Sequence, residues 1–486
     1  MSPFRKTFLI LLGSLLAACS SGPGADLGPA AATVTQAPGP TPTPLPTRSE
    51  YDPGQLVEYV AHSGDTLPAL AARFNTTVEE ILAANANIPI PADATTMPAG
   101  MPMQIPIYYR SFWGTTFQIL PDSQYVNGPS AIGFDVEAFV QSRAGWLKDF
   151  RTYAQGATRT GAEVVQLVAT NYSVSPRVLL DVMEYQAGAL SQPVAPEGRY
   201  PLGIYNYNYP GLYMQLAWVA NVLNNGYYGW RTGLLTEFEL DDGRIERPDP
   251  WQTAASVAFQ YFSSRMYDVE GYETAIGPDG FARVYTDLFG NPWEVDMPHI
   301  PVSLQQPALT LPFRPGEIWA LTGGPHTGWG TLLPWAALDF APGAETGGCT
   351  PTDRPAVAMA DGVVVRSETG VVMLDLDGDG DERTGWNLLY LHVATQGRAR
   401  RGAVLQAGDV VGYPSCEGGT ATGTHIHIAR KYNGEWIPAD CAIPFDLDGW
   451  VAHNGDGPYN GTLTRSSQTV IACECADVFS QLQAGK

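Results

Sequence analysis

Four polar residues in the last third of the chain have the types and spacing needed to bind a metal ion. His425 and His427 flank Ile426 in an apolar segment typical of a β-strand, where residues two apart project from the same face. Asp339 lies in an apolar stretch, where burial of a carboxylate is costly unless a cation neutralises it. His392 ends another apolar segment. Histidines and one carboxylate, with a position left for water, are the ligands of a catalytic zinc site, so Zn²⁺ is the expected cofactor.

This set of residues predicts a hydrolase that attacks a carbonyl group. Bound zinc lowers the pKa of its water to about 7 and polarises the scissile carbonyl. Neighbouring histidines can orient that water and donate a hydrogen bond to the oxyanion of the tetrahedral intermediate. A His-x-His pair alone is more often incidental, but its combination with Asp339 and His392 favours a metal site.

The elements that must position these residues are short strands. From about Thr310 onward, segments rich in Val, Tyr and Ile alternate with glycine-containing turns, which predicts an antiparallel all-β fold. The predicted strands include residues 356–360, 363–366, 371–376, 387–393, 410–412 and 425–430.

The order of the motifs resembles that of the lysostaphin/LytM-type zinc metallopeptidases. The resemblance covers about residues 306–450 and rests on Ala337–Gly343, Val357–Val364, Leu389–His392, Gly408–Gly412 and Gly423–His427. It implies zinc bound by Asp339, His427 and one upstream histidine, with His392 and His425 as catalytic residues. We therefore place a peptidase domain at residues 306–486.

The upstream ligand departs from the common pattern of that family. The common branch has a ligand four residues before the aspartate, where this chain has Trp335. His326, 13 residues before Asp339, is the candidate replacement, and this separation resembles that of the β-lytic branch. His299 is the rival ligand. A relative that has lost the metal and only activates other hydrolases is a further alternative.

Residues 57–107 resemble a LysM module. The resemblance rests on Tyr59, the segments Ser63–Leu67 and Ala71–Asn75, and the terminal Ile105–Pro106. It implies a small α+β fold of order βααβ that binds N-acetylglucosamine polymers in a shallow groove near two loops, with Gly64, Asp65 and Thr66 as glycan-binding residues. The second loop, Ile88–Pro102, is long and proline-rich, and a spacer without sugar affinity is the alternative.

The first 56 residues predict export and tethering. Arg5 and Lys6 precede a short apolar run that ends in Leu-Ala-Ala-Cys19, which resembles a bacterial lipobox. Residues 1–19 are therefore interpreted as a lipoprotein signal peptide, and residues 20–56 as a Pro/Thr/Ala-rich linker. Acylation of Cys19 would anchor the protein at the extracytoplasmic face of a bacterial membrane. An ordinary signal peptide with a chance cysteine is the alternative.

Residues 108–305 predict a mainly helical domain of unknown role. Glu184, in the segment Tyr172–Glu184, faintly resembles the acid of lysozyme-like wall hydrolases, which protonates a glycosidic oxygen. No second carboxylate is identifiable there, so a solvated or packing glutamate is the more common explanation. A glycosidase activity in this domain stays an alternative.

Charge excludes one class of partner. The chain of 486 residues has 27 Lys and Arg against 49 Asp and Glu, a net charge of −22, whereas nucleic-acid binding needs clustered basic residues. Without Cys19, five cysteines remain in the last third, which predicts disulfides and at least one unpaired thiol, with open connectivity. A cysteine-only zinc site is the rival interpretation.

The segment Asp375–Asp381 mimics the start of a calcium loop, with alternating carboxylates before a glycine. Its twelfth position is Trp386 rather than Glu, which excludes an EF-hand. A solvated acidic hairpin is the more common explanation.

The sequence as a whole predicts an envelope-anchored zinc endopeptidase that cleaves peptide bonds in peptidoglycan. Its expected partners are the stem peptides, the N-acetylglucosamine glycan and the membrane, and the oligomeric state is open. The non-enzyme alternative is a wall-binding scaffold that activates another hydrolase.

Overall fold

A computed structural model describes residues 44–87, 95–343, 347–475 and 477–485. The predicted signal peptide, Cys19, most of the linker and part of the loop Ile88–Pro102 lie outside the described residues. Residues Leu45–Lys486 form one compact unit. Within the described part of the chain, no helix combines the length and the apolarity needed to cross a bilayer.

The first module has the predicted order βααβ. Its elements are β1 (Gln55–Val60), α1 (Leu67–Phe74), α2 (Val78–Ala84) and β2 (Pro102–Ile107), and β1 pairs antiparallel with β2. The side chain of Thr66 accepts a hydrogen bond from the backbone of Ala69 and so caps α1, while Thr77 and Glu80 form a capping box at α2. These caps fix where each helix begins.

The middle region is mainly helical, as predicted. Its helices are α3 (Asp122–Tyr125), α4 (Val136–Gln141), α5 (Gly161–Tyr172), α6 (Pro176–Ala187), α7 (Gly211–Thr232), α8 (Ala254–Met266), α9 (Val269–Ile276) and α10 (Phe281–Phe289). Two short hairpins accompany them: β3 (Arg151–Ala154) with β4 (Ala157–Thr160), and β5 (Phe238–Glu239) with β6 (Ile245–Glu246). The long helix α7 packs against α8 in the centre of the core.

The C-terminal region is built from antiparallel strands, as predicted. They are β7 (Ile318–Thr327), β8 (Trp335–Pro342), β9 (Ala356–Val357), β10 (Gly362–Glu368), β11 (Gly370–Asp375), β12 (Trp386–Val393), β13 (Val404–Leu405), β14 (Val410–Gly412), β15 (Ile426–Tyr432), β16 (Glu435–Trp436), β17 (Asp446–Leu447), β18 (Trp450–Asn454), β19 (Gly461–Arg465), β20 (Gln468–Ile471) and β21 (Gln481–Gln483). Among the described residues, nine strands form one sheet, in which β16 pairs with β15 and the others follow the order β13-β10-β11-β12-β15-β8-β7-β21. A second sheet has the order β17-β18-β19-β20.

The two faces of the large sheet pack against different partners. Ile426 and Ile428 on β15 belong to the core of the C-terminal region itself. Ala429 and Ala337, on the opposite face, join the core of the helical region. His427 is two residues from Ala429, and residues two apart in a strand share a face. The imidazole of His427 therefore projects from the same face as Ala429, which the helical region covers.

The cysteines form disulfides and leave one thiol unpaired, as their odd number predicted. In the described part of the chain, disulfides join Cys349 to Cys416 and Cys473 to Cys475, and Cys441 is a free thiol. A cysteine-only zinc site is therefore the wrong interpretation of these residues.

Candidate metal centre and glycan-binding loops

Strand register brings the three predicted metal ligands together. His427 on β15 lies directly opposite Asp339 on β8, and His326 on β7 lies opposite Ala337, two residues from Asp339. His326 Nε2 is 3.0 Å from His427 Nδ1. Asp339 Oδ1 is 3.3 Å from the first of these nitrogens and 3.2 Å from the second. The rival His299 is not part of this group, since its Nε2 lies 2.7 Å from Glu435 Oε2.

A β-bulge aims His326 at the site. Gly323 pairs with Asp339, so a regular antiparallel ladder would place Pro325 opposite Ala337. Between Gly323 and His326 the strand instead contains one extra residue, so His326 lies opposite Ala337. An extra residue turns the side chains that follow it to the other face of a strand. The sequence Gly323-Gly-Pro-His326 therefore provides the local irregularity that the ligand needs.

Backbone carbonyls fix the tautomers of both ligand histidines. His326 Nδ1 donates to Gly324 O at 2.8 Å, and His427 Nε2 donates to Gly328 O at 3.1 Å. Each ring therefore presents an unprotonated nitrogen to the other and to Asp339. This is the arrangement by which metal-bound histidines are oriented in proteins.

Asp339 Oδ1 is buried and has no hydrogen bond among the described residues, although two ring nitrogens lie nearby. The reason is that both hydrogens are on the far nitrogens, so lone pairs face one another. A carboxylate with this environment fits a cation.

The separations also fit zinc. Ligand atoms bound at about 2.0–2.1 Å to one tetrahedral zinc ion lie about 3.3 Å apart. The three edges of this triangle measure 3.0, 3.2 and 3.3 Å. The donor set of two imidazoles and one carboxylate leaves a position free for water.

His392 and His425 form a second pair beside the triangle. Their ring centroids are 4.5 Å apart, and His425 Nε2 lies 3.7 Å from Asp339 Oδ2. His392 Nδ1 donates to Glu417 O at 2.9 Å, and His425 Nδ1 donates to Gly423 O at 2.8 Å. Both Nε2 atoms therefore have a free lone pair.

A second bulge aims His392. The pairing of β11 with β12 passes from Leu391 to Val393 across neighbouring residues of β11, so His392 is the extra residue. Its φ of +65° lies in the left-handed region, which a residue other than glycine or asparagine adopts rarely. Burial, and then the neighbouring His425 and His427, lowers the pKa of His392 to about 4, so the ring is neutral at pH 7.

Tyr459 is a site residue that the sequence did not indicate. Its ring stacks on the imidazole of His326 with centroids 4.1 Å apart. The loop between β18 and β19 that contains it is held to β7 because Gly324 N donates to Tyr459 O at 2.7 Å. No spacing relation in the sequence links Tyr459 to the histidines, because the contact joins a loop to a strand that is distant in sequence.

The predicted glycan-binding residues have other contacts. Asp65 is buried and accepts hydrogen bonds from Tyr59 Oη at 2.6 Å and from Arg73 at 2.9 Å. Gly64 lies against the guanidinium of Arg231 from α7. Thr66 caps α1. Gly64 and Thr66 also line a cavity of about 260 Å³, to which residues of the helical region and the C-terminal region contribute.

A segment of this chain covers both loops of the LysM-like module. Ser63 Oγ accepts from the backbone N–H of His299 and Ile300, at 3.1 and 2.9 Å. Thr96 Oγ1 donates to Pro301 O at 2.8 Å, and Thr95 Oγ1 donates to Leu304 O at 2.6 Å. Residues 299–304, which we call the cover segment, therefore run across the expected position of the sugar groove.

Glu184 has a structural contact. Its Oε2 accepts a hydrogen bond from Leu190 N at 2.7 Å, at the turn that follows α6. A second carboxylate on the same helix, that of Asp181, lies three residues earlier and is fully buried. A glycosidic role for Glu184 stays a prediction.

The fold, the site geometry and the sequence matches support a metalloendopeptidase that resembles the lysostaphin/LytM type and contains a LysM-like module. Residues 59–106 match the model "LysM domain", and residues 118–303 match the model "LasA, N-terminal domain". Protease LasA of Pseudomonas aeruginosa is a relative, with 25% identity over 340 residues that cover 65% of this chain and 74% of the relative. The enzyme of strain UCBPP-PA14 is 26% identical over the same shares.

Among solved structures, the M23 metalloprotease pseudoalterin "from Deep-sea" shows 22% identity and a TM-score of 0.30, covering 34% of this chain and 96% of that protein. A zinc-containing peptidase from Vibrio cholerae shows 18% identity and a TM-score of 0.21, covering 30% and 42%.

Proposed function

We propose that this chain is a zinc-dependent endopeptidase that cleaves peptide bonds in bacterial peptidoglycan. His326, Asp339 and His427 hold the metal, and His392 and His425 act on the substrate. The observation that carries the proposal is the triangle of three ligand atoms, 3.0–3.3 Å apart, in which both imidazoles have their other nitrogen bonded to a backbone carbonyl.

Bound zinc supplies the Lewis acid that polarises the scissile carbonyl and acidifies water. The protein contributes the proton acceptors and donors. His425 Nε2 has a free lone pair next to Asp339 and can accept a proton from the attacking water. Once protonated, the same nitrogen can donate that proton to the leaving amine. His392, which is neutral at pH 7 because of its burial, holds its Nε2 beside the ring of His425.

The choice of peptidoglycan as substrate rests on the module that precedes the peptidase. A LysM module that binds wall glycan raises the effective concentration of cross-links at the metal site. The LysM match at residues 59–106 supports this proposal.

Attachment to the membrane through acylated Cys19 is a separate part of the proposal, supported by the lipobox-like sequence. Expression in a bacterial host with a clickable palmitate analogue tests it. The wild-type chain should carry the label and Cys19→Ser should not. Equal labelling of both, or of neither, would refute the anchor and leave the peptidase proposal intact.

Metal analysis and digestion of defined muropeptides test the catalytic proposal. The purified wild type should contain one zinc per chain and release peptide fragments. His425→Ala should keep zinc and lose at least about 100-fold in activity, the usual size of a lost general base. Asp339→Asn should lose the zinc itself.

His453→Ala is the matched control, since this histidine lies on β18 and bonds Thr464 Oγ1 at 2.8 Å. It should behave as wild type. Zinc-loaded wild type without any peptide release would favour the scaffold that activates another hydrolase. Release of reducing sugar that survives His425→Ala and is lost in Glu184→Gln would favour the glycosidase.

A further inference from the structure

The hairpin between β11 and β12 contains a group of carboxylates without a counter-ion. Ligand oxygens of Asp375, Asp377 and Asp379 lie within 4.8 Å of one another. Among the described residues, none of the three forms a salt bridge. Asp377 and Asp379 are exposed, whereas Asp375 is fully buried. The group therefore has one end inside the fold and the other open to solvent.

The backbone of the loop folds around the buried member. Asp375 accepts hydrogen bonds from the N–H groups of Asp377, Gly378 and Gly380, at distances of 3.1, 3.2 and 2.8 Å. Gly385 lies against the carboxylate of Asp377, since a Cβ at this glycine would be 1.9 Å from Asp377 Oδ2. These contacts crowd like charges together, and by themselves they do not define a ligand.

The independent observation is Asn387. It lies directly opposite Asp375 in the antiparallel pair, so the two side chains project from the same face, about 5 Å apart at Cβ. Asn387 is fully buried, and its Nδ2 donates to Thr384 O at 2.7 Å, in the same loop. Among the described residues, no group donates a hydrogen bond to its buried Oδ1.

The cation nearest in register does not satisfy that oxygen. Lys431 on β15 is the other strand neighbour of Asn387, and its ammonium bonds Glu382 Oε2 at 3.0 Å. A buried amide oxygen without a donor is rare in native proteins. Asn387 Oδ1 is therefore available, together with the carboxylates, as an oxygen ligand for a cation.

We propose that this hairpin binds one calcium ion through oxygens of Asp375, Asp377, Asp379 and Asn387. The ligands are all oxygens, which suits a hard cation, and water on the exposed side would complete the six to eight positions that calcium takes. Magnesium demands a stricter octahedron and keeps most of its water. The site is separate from the zinc site and does not depend on the proposed peptidase activity.

Charge within the loop agrees with this assignment. Burial, and then the adjacent Asp375 and Asp379, raises the pKa of Asp377 to about 6. A bound divalent cation removes that repulsion. Because β12 pairs with β15, which contains His427, an ordered hairpin also supports the strand next to the metal ligands.

Isothermal titration of the full-length chain with calcium chloride, after treatment with EGTA and restoration of one equivalent of zinc, tests the proposal. The wild type should bind one calcium per chain, and 1 mM calcium should raise its thermal midpoint by several degrees. Asp377→Asn, an exposed substitution that leaves the core untouched, should weaken binding at least ten-fold and abolish the shift. Asn387→Ala should also weaken it.

Asp353→Asn, at an exposed position outside the hairpin, is the control and should match the wild type. Zinc content, measured in parallel, separates the outcome from that of the peptidase proposal. Absence of saturable binding at 1 mM calcium in the wild type would overturn the site. Equal affinity of wild type and Asp377→Asn would overturn it as well.

Discussion

Each imidazole around the candidate metal centre is held by a backbone carbonyl, at Gly324, Gly328, Gly423 or Glu417. Three of these acceptors are glycines, whose lack of a side chain leaves room for a ring beside the main chain. The hydrogen bond decides which nitrogen carries the proton. His326 and His427 consequently present different nitrogens, Nε2 and Nδ1, to the same point.

One buried carboxylate of the helical region, that of Asp181, lowers the free energy of unfolding. Both oxygens of Asp181 on α6 are buried without a hydrogen bond among the described residues, and burial, together with Glu184, raises the pKa of Asp181 well above its ordinary value. An acid whose pKa is raised on folding destabilises the fold as pH rises above its unfolded pKa of about 4.

Asp181→Asn should therefore stabilise the protein at pH 7 by about 1 kcal/mol or more. At this pH the wild type must either bury a charged carboxylate or keep the carboxyl group protonated, and the amide removes that cost. Urea unfolding of both proteins at pH 4 and pH 7 measures this. The gain should be larger at pH 7. A variant that is less stable than wild type at pH 7 would show that the carboxylate has a partner in solution.

At the scale of elements, two of the bulges in the large sheet position the site. Without the extra residue between Gly323 and His326, or without the extra residue before Val393, the imidazole of His326 or of His392 would project from the other face of the sheet. Gly323 occupies the position on β7 directly opposite Asp339. A Cβ there would lie 2.7 Å from Asp339 Oδ2, so the strand can approach the carboxylate only with glycine at this position.

Gly323→Ala should therefore displace the carboxylate and weaken zinc binding by about 10- to 100-fold, the range seen when the surroundings of a metal ligand are changed. Competition with a zinc chelator measures the affinity, and muropeptide digestion measures the activity. Gly343→Ala is the control, because a Cβ at that position meets no atom within 4 Å. Unchanged zinc affinity in Gly323→Ala would contradict the role of this contact.

At the scale of the whole molecule, a buried ionic cluster joins the three regions. Arg231 on α7 donates to Glu435 on β16 at 2.9 Å and to the carbonyl of Ser63 at 2.7 Å. His299 of the cover segment lies 2.7 Å from the same glutamate. Burial alone would raise the pKa of Glu435, but Arg231 and His299 lower it to about 2.

This lowered pKa predicts acid sensitivity. The contribution of Glu435 is fully present above its unfolded pKa, near 4.5, and is lost as pH falls through the folded value near 2. The difference corresponds to stability on the order of 3 kcal/mol. Thermal midpoints between pH 5 and pH 2 should fall steeply in the wild type and less steeply in Glu435→Gln. Parallel slopes would contradict the prediction.

Because the cover segment runs across the expected sugar groove, we expect it to compete with glycan for that groove. If the LysM module binds N-acetylglucosamine oligomers as proposed, Arg231→Met should bind them more tightly than the wild type, because it removes the contact that holds Ser63 toward α7. Titration with chitin oligomers measures the affinity. Arg265→Met, on α8, is the control, because its guanidinium lies over the ring of Tyr261, 4.9 Å from the ring centroid. Weaker or equal binding by Arg231→Met would show that the covered loops are not the sugar groove.

Local pattern was sufficient for much of the molecule. The βααβ order, the helical middle region and the antiparallel C-terminal strands all follow from periodicity and turn residues over a few positions. These features depend on side chains near in sequence, and such neighbours are what a sequence pattern records.

Tertiary structure decided what depends on distant segments. It selected His326 over His299, because one bulged residue turns the first toward Asp339 while Glu435 binds the second. It also placed the predicted sugar-binding loops against the cover segment and Arg231, where other parts of the chain cover them. The stacking of Tyr459 on His326 depends in the same way on a loop and a strand more than a hundred residues apart. The physical reason is common to all three, since no local pattern records which surfaces meet when separate regions bury their apolar faces.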